Sequence, residues 1–397
     1  MESKKPNQFI ALGIMSGTSA DGLDLALCRF EKIQHCKSDN GTEKKPVYDD
    51  RSTNNHEKRN PSGKDYSFAT WNFEILKTRN FSYSGTSWPE RLVAAENSDG
   101  YSLMEMHRDF GRFTGNAIQD FLAGPGPTPD LIASHGHTIF HRPEKGITLQ
   151  IGDGAEIAAV TGITTVSDFR RLDVALGGQG APLVPIGDEL LFGNYDYCLN
   201  LGGFSNISFR ESGKRVAFDI CPVNIVLNRL AQSKGLEYDK GGLMALSGKV
   251  IPALLEKFET LDFYNLNGPR SLGKEWVEEV FMPLLETTSA PVEDKMRTVC
   301  EHIALRIASS SVAGPDLTAA SSLLATGGGA KNGFLMDLIT EKILPVSITI
   351  PGEELIDFKE AAVFAFLGVL RLRNEINCLA SVTGAKKDNS GGIVHLS

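Results

Sequence analysis

Apolar positions along the chain alternate between short runs and longer stretches at helical spacing, a pattern that predicts two α/β halves. Phe9–Met15 is apolar and stops at a Gly-Ser-Thr turn, and Leu23–Phe30 follows, so the start reads as strand, tight loop, strand. Over residues 35–67 nearly all large apolar side chains vanish, and Lys, Asp, Asn, Ser and Pro take their place. Such a stretch buries too little to offset its ordering entropy, which predicts a long mobile insertion. Alternation resumes over Phe68–Phe81. Leu103–Leu122 sets Met106, Phe110, Phe113 and Ile118 at helical spacing, GPGPTPD closes that helix, and Asp130–Ser134 supplies a short buried strand. Strand-like runs then recur at Tyr195–Leu201, Asn206–Phe209, Val216–Phe218, Leu323–Thr326 and Val346–Ile350. Met296, Val299, Cys300, Ile303 and Ile307 form one helical face, and Glu360–Leu372 predicts another helix.

Bulk properties narrow the picture. A chain of 397 residues exceeds one ordinary core, so two domains are expected. The formal net charge of −9 argues against nucleic acid or an anionic membrane as partner, because neither is attracted. The six cysteines are scattered with no CxxC pair, which fits reduced thiols better than a disulfide framework or zinc site. The first apolar run is too short for a signal peptide, and no segment stays apolar for the ~20 residues of a membrane span. The expected location is the cytoplasm.

Three glycine-rich junctions each follow an apolar run. In Gly13-Ile-Met-Ser-Gly-Thr-Ser-Ala-Asp-Gly22, small residues let backbone approach a phosphate, and Ser16, Thr18 and Ser19 offer hydroxyls. Asp21 and Asp24 are candidates to hold a hydrated Mg²⁺. Asn200–Ser208 (NLGGFSNIS) is the second junction and Ala325–Asn332 (ATGGGAKN) the third, where bare backbone suits an adenine or ribose. Any one of them alone reads as a tight turn; three at strand ends favour a ligand. None matches a P-loop or a dinucleotide fingerprint.

A denser segment runs from Thr165 to Val184. It places Asp168, Arg170 and Asp173 within six positions, ahead of a GGQGAP loop. A carboxylate beside an arginine suits phosphoryl transfer, one taking a hydroxyl proton while the other steadies charge; a salt-bridged turn is the plainer reading. The arginine is also expected to hold the Asp168 pKa down. Ser134-His-Gly-His-Thr138 sets His135, His137 and Thr138 just past a strand, where ligands bind in α/β sheets. A metal site there lacks a carboxylate or cysteine at ligand spacing.

In this order, MSGTSADGLD, SHGHT, LQIGDG, SDFR with GGQGAP, NLGGFSNIS, TGGGAKN and KEAAVFAFL resemble the anhydro-N-acetylmuramic acid kinases of bacterial cell-wall recycling. The likeness runs from about Gly13 to Ala385, with 35–67 outside it. It implies two ribonuclease-H-like domains of the actin and hexokinase type flanking a cleft. Residues 1–190 would form the first, 191–375 the second, and 376–397 a tail returning to the first. It also implies that ATP and Mg²⁺ drive opening of a 1,6-anhydro ring by water while O6 is phosphorylated. Carried over by position, Gly17, Thr18, Ser19, Ala20, Asp21, Gly22, Leu23 and Asp24 would bind the ATP phosphates. Gly202 and Gly203 would form a second phosphate loop, and Gly327, Gly328 and Gly329 an adenosine loop. Asp168 would activate the water, with Arg170 beside it. Glu360 matches an acidic residue at the cleft, or it simply stabilises a helix N-terminus.

Two departures stand out. Phe218-Asp-Ile-Cys-Pro-Val-Asn224 replaces the family's FDTGPGN, which puts the geometry of a nucleotide loop in question, and His137 replaces a usual Gln on the sugar side. A related sugar kinase with another acceptor, or an actin-like ATP-binding switch, stays open at this point. So does oligomeric state, a homodimer included.

Overall fold

The computed structural model describes residues 7–17, 22–33, 70–266, 270–312 and 321–397. Thr18, Ser19, Ala20 and Asp21 of the first glycine-rich loop, and the expected insertion at 35–67, lie outside the described residues.

The first sheet begins with β1 (Gln8–Met15), β2 (Gly22–Lys32) and β3 (Trp71–Ser82), an antiparallel series. β4 (Leu131–Ser134) then pairs parallel with β1. A separate hairpin, β5 (His137–Arg142) with β6 (Ile147–Ile151), precedes β7 (Thr165–Ser167), which pairs parallel with β4. The second sheet repeats the plan. β8 (Tyr197–Leu201), β9 (Phe204–Glu211) and β10 (Lys214–Pro222) are antiparallel, and β11 (Ser322–Thr326) and β12 (Ser347–Thr349) continue parallel from β8. β13 (Ile393–His395) closes the chain by pairing antiparallel with β7. Strand order is β13-β7-β4-β1-β2-β3 in one sheet and β10-β9-β8-β11-β12 in the other. Setting β13 aside, both have the order 3-2-1-4-5 of the expected ribonuclease-H-like unit.

Each sheet has its own core. The Gly100–Leu122 helix, capped by Asp99 through the Tyr101 and Ser102 amides, buries Met106, Phe110, Ile118 and Phe121 against one face of the first sheet. The other face meets the Glu353–Leu372 helix. That helix is apolar all round from Ala361 to Leu370, as a helix buried on every side must be. It lies so close to β1 that a Cβ on Gly13 would come within 1.8 Å of the Ala361 carbonyl oxygen. The second sheet packs on the Asn224–Gln232, Val292–Val312 and Gly333–Lys342 helices.

The lobes are tied by charge as well as by chain. In the Pro185–Leu190 helix, Asp188 Oδ1 lies 2.8 Å from Lys359 Nζ, and its Oδ2 accepts from Ser208 Oγ on β9 at 2.6 Å. The Lys359 contact is one of charge rather than an aligned hydrogen bond. Burial alone would lower the Lys359 pKa; Asp188 beside it, helped by Cys198, more than offsets that and raises it. Glu189 next door takes Arg215 of β10, Nε to Oε2 at 2.9 Å.

Candidate active site

Because β1, β4 and β7 are parallel neighbours, their carboxyl ends open on one edge. The register Ile14↔Ser134 and Ala133↔Val166 brings Ser16, His135 and Asp168 to adjacent strand ends. Ser16 Oγ lies 2.7 Å from Tyr83 OH and 2.9 Å from His137 Nδ1, and all three side chains are buried. Thr138 Oγ1 accepts from Gln150 Nε2 across the β5–β6 hairpin at 3.3 Å.

Asp168 sits one residue beyond β7 with φ +57°, in the left-handed region. Held there by its surroundings, an L-residue stores roughly 1–2 kcal/mol of strain, less for Asp than for most, and such positions cluster at functional sites. Its ion-pair partner is Arg171, at 3.7 Å, and not Arg170. Burial raises the Asp168 pKa, against the pull of Arg171 and of His107, so the expected downward shift is corrected. Arg170 turns the other way. Its Nε donates to His135 Nε2 at 2.9 Å and its Nη1 to the Gly180 carbonyl at 2.7 Å. His135 Nδ1–H donates to the Gly136 carbonyl at 2.8 Å, which fixes a neutral ring. Burial and Arg170 both press the His135 pKa well below its ordinary value, because a second ring proton would meet the guanidinium. His135 thus orients Arg170 from inside.

Asp173 is the interior pin of the GGQGAP loop. Its Oδ1 accepts from Cys378 Sγ (3.0 Å), Thr383 Oγ1 (2.9 Å) and Asn389 Nδ2 (2.8 Å), and its Oδ2 from the Gly180 amide (2.8 Å). With both oxygens engaged and no exposure, it fastens the C-terminal segment beneath Asp168.

Periodicity did not single out His107 or His395. His107 Nδ1 accepts from the Gly152 amide at 3.1 Å, leaving its Nε2 protonated, and the ring is near enough to Asp168 to interact with its charge. His395 on β13 bonds Ser167 Oγ at 3.1 Å. Both come from helix or strand positions remote in sequence.

The Glu353–Leu372 helix carries Glu360 to the seam between the lobes. Its carboxyl is exposed, yet protein crowds it on several sides. That crowding raises its pKa against the pull of Arg170, and Asp24 adds to the rise. Asp24 accepts from Asn80 Nδ2 at 2.7 Å at the start of β2. Gly17 precedes the undescribed stretch, while Gly22 and Leu23 follow it, Leu23 buried in the core. The same helix approaches the turn after β11, where Lys331 Nζ lies 2.7 Å from Asp357 Oδ2.

In the second lobe the parallel strands end on glycine. Gly202 and Gly203 follow β8, and their carbonyls accept the amides of Val223, Asn224 and Ile225 at the head of the Asn224–Gln232 helix. Gly327 follows β11 with φ +82°, where a Cβ would strike Asn200 and Leu201. Gly328 is different: a Cβ there meets only Asn224 Nδ2, at 3.6 Å, with no positive φ. Nothing in the protein demands glycine at 328, so the open space suits a ligand lying on backbone. Asn332 caps the next helix by accepting from the Leu335 amide. In the divergent FDICPVN segment, Ile220, Cys221 and Val223 are wholly buried core residues, most of them within β10. Their apolar side chains serve packing in the second lobe.

A family model described as anhydro-N-acetylmuramic acid kinase matches residues 91–396. The anhydro-N-acetylmuramic acid kinase of Mannheimia succiniciproducens is 34% identical over 406 residues, covering 96% of this chain and 98% of that protein. That of Pseudomonas syringae pv. tomato is 37% identical over 391 residues, covering 95% and 96%. Among solved structures, the ADPNP-bound activator of 2-hydroxyisocaproyl-CoA dehydratase from Clostridium difficile aligns over 92% of this chain and 97% of that one. Its identity is 11% and its TM-score 0.41. On the family match and these full-length relatives, the chain belongs to the anhydro-N-acetylmuramic acid kinase family.

Proposed function

We propose that Asp168 is the general base of an ATP-dependent anhydro-N-acetylmuramic acid kinase of peptidoglycan recycling, working at the carboxyl ends of β1, β4 and β7. The observation that carries this is the carboxylate itself: a left-handed Asp, partly buried, at the end of a central parallel strand. Water attacks the anomeric carbon and gives its proton to Asp168. The C1–O6 bond breaks as O6 takes the γ-phosphoryl group, and ADP leaves. A carboxylate whose pKa is raised yet still ionised at neutral pH is a stronger base than a fully solvated one. Arg171 and His107 flank it and favour its charged form. Ser16, His137 and Thr138 line the acceptor side, and Arg170, oriented by His135, faces Glu360 across the seam.

ATP fits the glycine ends of β8 and β11, where Gly202, Gly203 and Gly328 leave backbone uncovered. Mg²⁺ would arrive on the ATP phosphates and neutralise developing charge; Asp24, Glu360 and, from sequence, Asp21 are the acidic groups on that side. A domain division near residue 190, with the tail from 376 returning to the first lobe, is part of this proposal. The Glu353–Leu372 helix spans the two lobes while packing on the first sheet. A cytoplasmic location belongs here too; among the described residues no helix is long and apolar enough to cross a membrane.

The decisive assay follows ADP formation with 1,6-anhydro-N-acetylmuramic acid against a panel of open-ring amino sugars, with identification of the product. A 6-phosphate of the ring-opened sugar is expected. Turnover confined to open-ring acceptors would overturn the coupled hydrolysis.

A further inference from the structure

A cavity of about 480 Å³ opens where the C-terminal segment meets the turn between β9 and β10. Strand register sets its distance from the glycine ends of the second lobe. Glu211 pairs with Lys214 at the cavity end of this hairpin, and Phe204 with Pro222 at the other end, beside Gly202 and Gly203. At about 3.3 Å per residue, β10 carries the two ends roughly 25 Å apart. The volume is that of a small-metabolite site.

The walls are positively charged. Lys214 at the start of β10 and Lys387 in the C-terminal segment both line the cavity and are exposed. Neither ammonium has a hydrogen bond or ion pair with a described residue. Arg215 lines it too, and is buried. Its Nε donates to Glu189 Oε2 and its Nη2 to the Asp188 carbonyl, both at 2.9 Å, while Nη1 has no partner among the described residues. A buried donor in that condition calls for an acceptor from outside the chain. The two carboxylates of the wall are turned to protein donors instead. Glu189 also accepts from Arg210 on its Oε1, and Asp388 Oδ1 accepts from the Ala380 amide at 2.8 Å. Counting Arg210, four cationic side chains stand against two carboxylates, a surplus of two positive charges.

The cavity also joins two parts of the molecule. Ser381 in its wall donates from Oγ to the Arg215 carbonyl at 2.7 Å, and two residues on Thr383 holds Asp173, the pin of the GGQGAP loop. We propose that this cavity binds the phosphomonoester of a small metabolite, and that the bound anion ties β10 to the C-terminal segment. A phosphomonoester carries a charge of about −1.5 to −2 at neutral pH and three strong acceptor oxygens, which match the surplus charge and the three cationic wall residues. A carboxylate brings half the charge and one acceptor fewer.

Calorimetry on the full-length protein reads binding without turnover, so its outcome does not depend on the reaction assigned above. The probes are glucose 6-phosphate, inorganic phosphate and glucose, with ADP and Mg²⁺ saturating so that the nucleotide end is filled. Glucose 6-phosphate is expected to bind, inorganic phosphate more weakly, and glucose not at all. Combining Lys214→Met with Lys387→Met should weaken glucose 6-phosphate about 10-fold or more, the size of a hydrogen bond to a charged group. Combining Lys214→Arg with Lys387→Arg should restore most of that affinity. Asp168→Asn and Gly328→Val, which alter the strand ends, should bind it as the wild type does. Hydrogen exchange over residues 379–388 and at the start of β10 should slow when the probe is added. Failure of glucose 6-phosphate to bind, equal binding of glucose, or full affinity in the methionine pair would each overturn the proposal. So would a loss of affinity in Asp168→Asn or Gly328→Val, or protection confined to the strand ends.

Discussion

The two sheets share a strand order but finish their central strands differently. In the first, β1, β4 and β7 run out into Ser16, His135 and Asp168, side chains that hydrogen-bond, titrate or carry strain. In the second, β8 and β11 run out into Gly202, Gly203 and Gly327–Gly329, of which Gly328 leaves its backbone open. A ribonuclease-H-like unit thus offers one geometric position, a fan of strand ends, that can be furnished in two ways. Proton transfer to a specific atom needs a placed side chain, whereas a nucleotide needs close, shape-matched backbone. Fold sets the location, and residue type at the strand end sets the chemistry.

The sharpest break in this contrast removes the base proposed for the first lobe. Asp168→Asn keeps the shape and tolerates the left-handed backbone, so kcat should fall roughly 10²–10⁴-fold, as for other lost general bases. ATP binding by calorimetry should be preserved, because the glycine ends are untouched. Retention of more than about a tenth of turnover, outside that range, would make Asp168 structural.

The junction between the lobes comes next. Lys359→Met leaves the buried Asp188 without its countercharge and should cost about 3–5 kcal/mol in urea unfolding. Adding Asp188→Leu should recover much of that, since an apolar pair replaces an orphaned charge. Additive losses in the double variant would mean the two residues do not act as a pair.

Gly328→Val probes the second lobe. With room for the side chain in the free protein, melting temperature should hold while the KM for ATP rises about 10–100-fold, the cost of overpacking by 1–3 kcal/mol. The KM for sugar should move far less. Unchanged ATP kinetics would remove Gly328 from the nucleotide surface.

The smallest effect separates the lobes by acid sensitivity. Burial, with Lys274 adding to it, lowers the His137 pKa from 6.5 to about 4. Between those values the unfolded chain binds the proton and the folded one does not. The neutral ring's contribution is therefore complete above about pH 6.5, is lost as pH falls toward 4, and changes no further below that. The loss is at most about 3 kcal/mol. His137→Gln cannot take up that proton, so its stability should fall less steeply from pH 6.5 to 4, with His135 keeping some slope. Identical slopes in urea midpoints across that range would show that His137 is not held neutral.

Much of this was legible beforehand because it is local. A run such as Leu323–Thr326 followed by three glycines announces a strand and its open end, and the helix over Glu353–Leu372 extends the predicted Glu360–Leu372 by two turns. The hairpin of β5 and β6 escaped the periodicity reading because its residues are half-buried and alternate weakly. β13 escaped for a different reason: three residues near the chain end form a strand only because β7 lies ready to pair.

What the amino-acid order determined by itself was therefore the set of strand ends and the residue types placed there, since period-2 and 3.6 patterns and glycine turns act within a few positions. Tertiary structure alone decided which neighbours those residues keep. Arg170 and Arg171 are adjacent in sequence, yet one turns to His135 and the other to Asp168. Asp173 looks like a rival base until Cys378, Thr383 and Asn389, more than two hundred residues away, occupy its Oδ1. Such pairings depend on how two separate cores are packed against each other, and no local spacing encodes that.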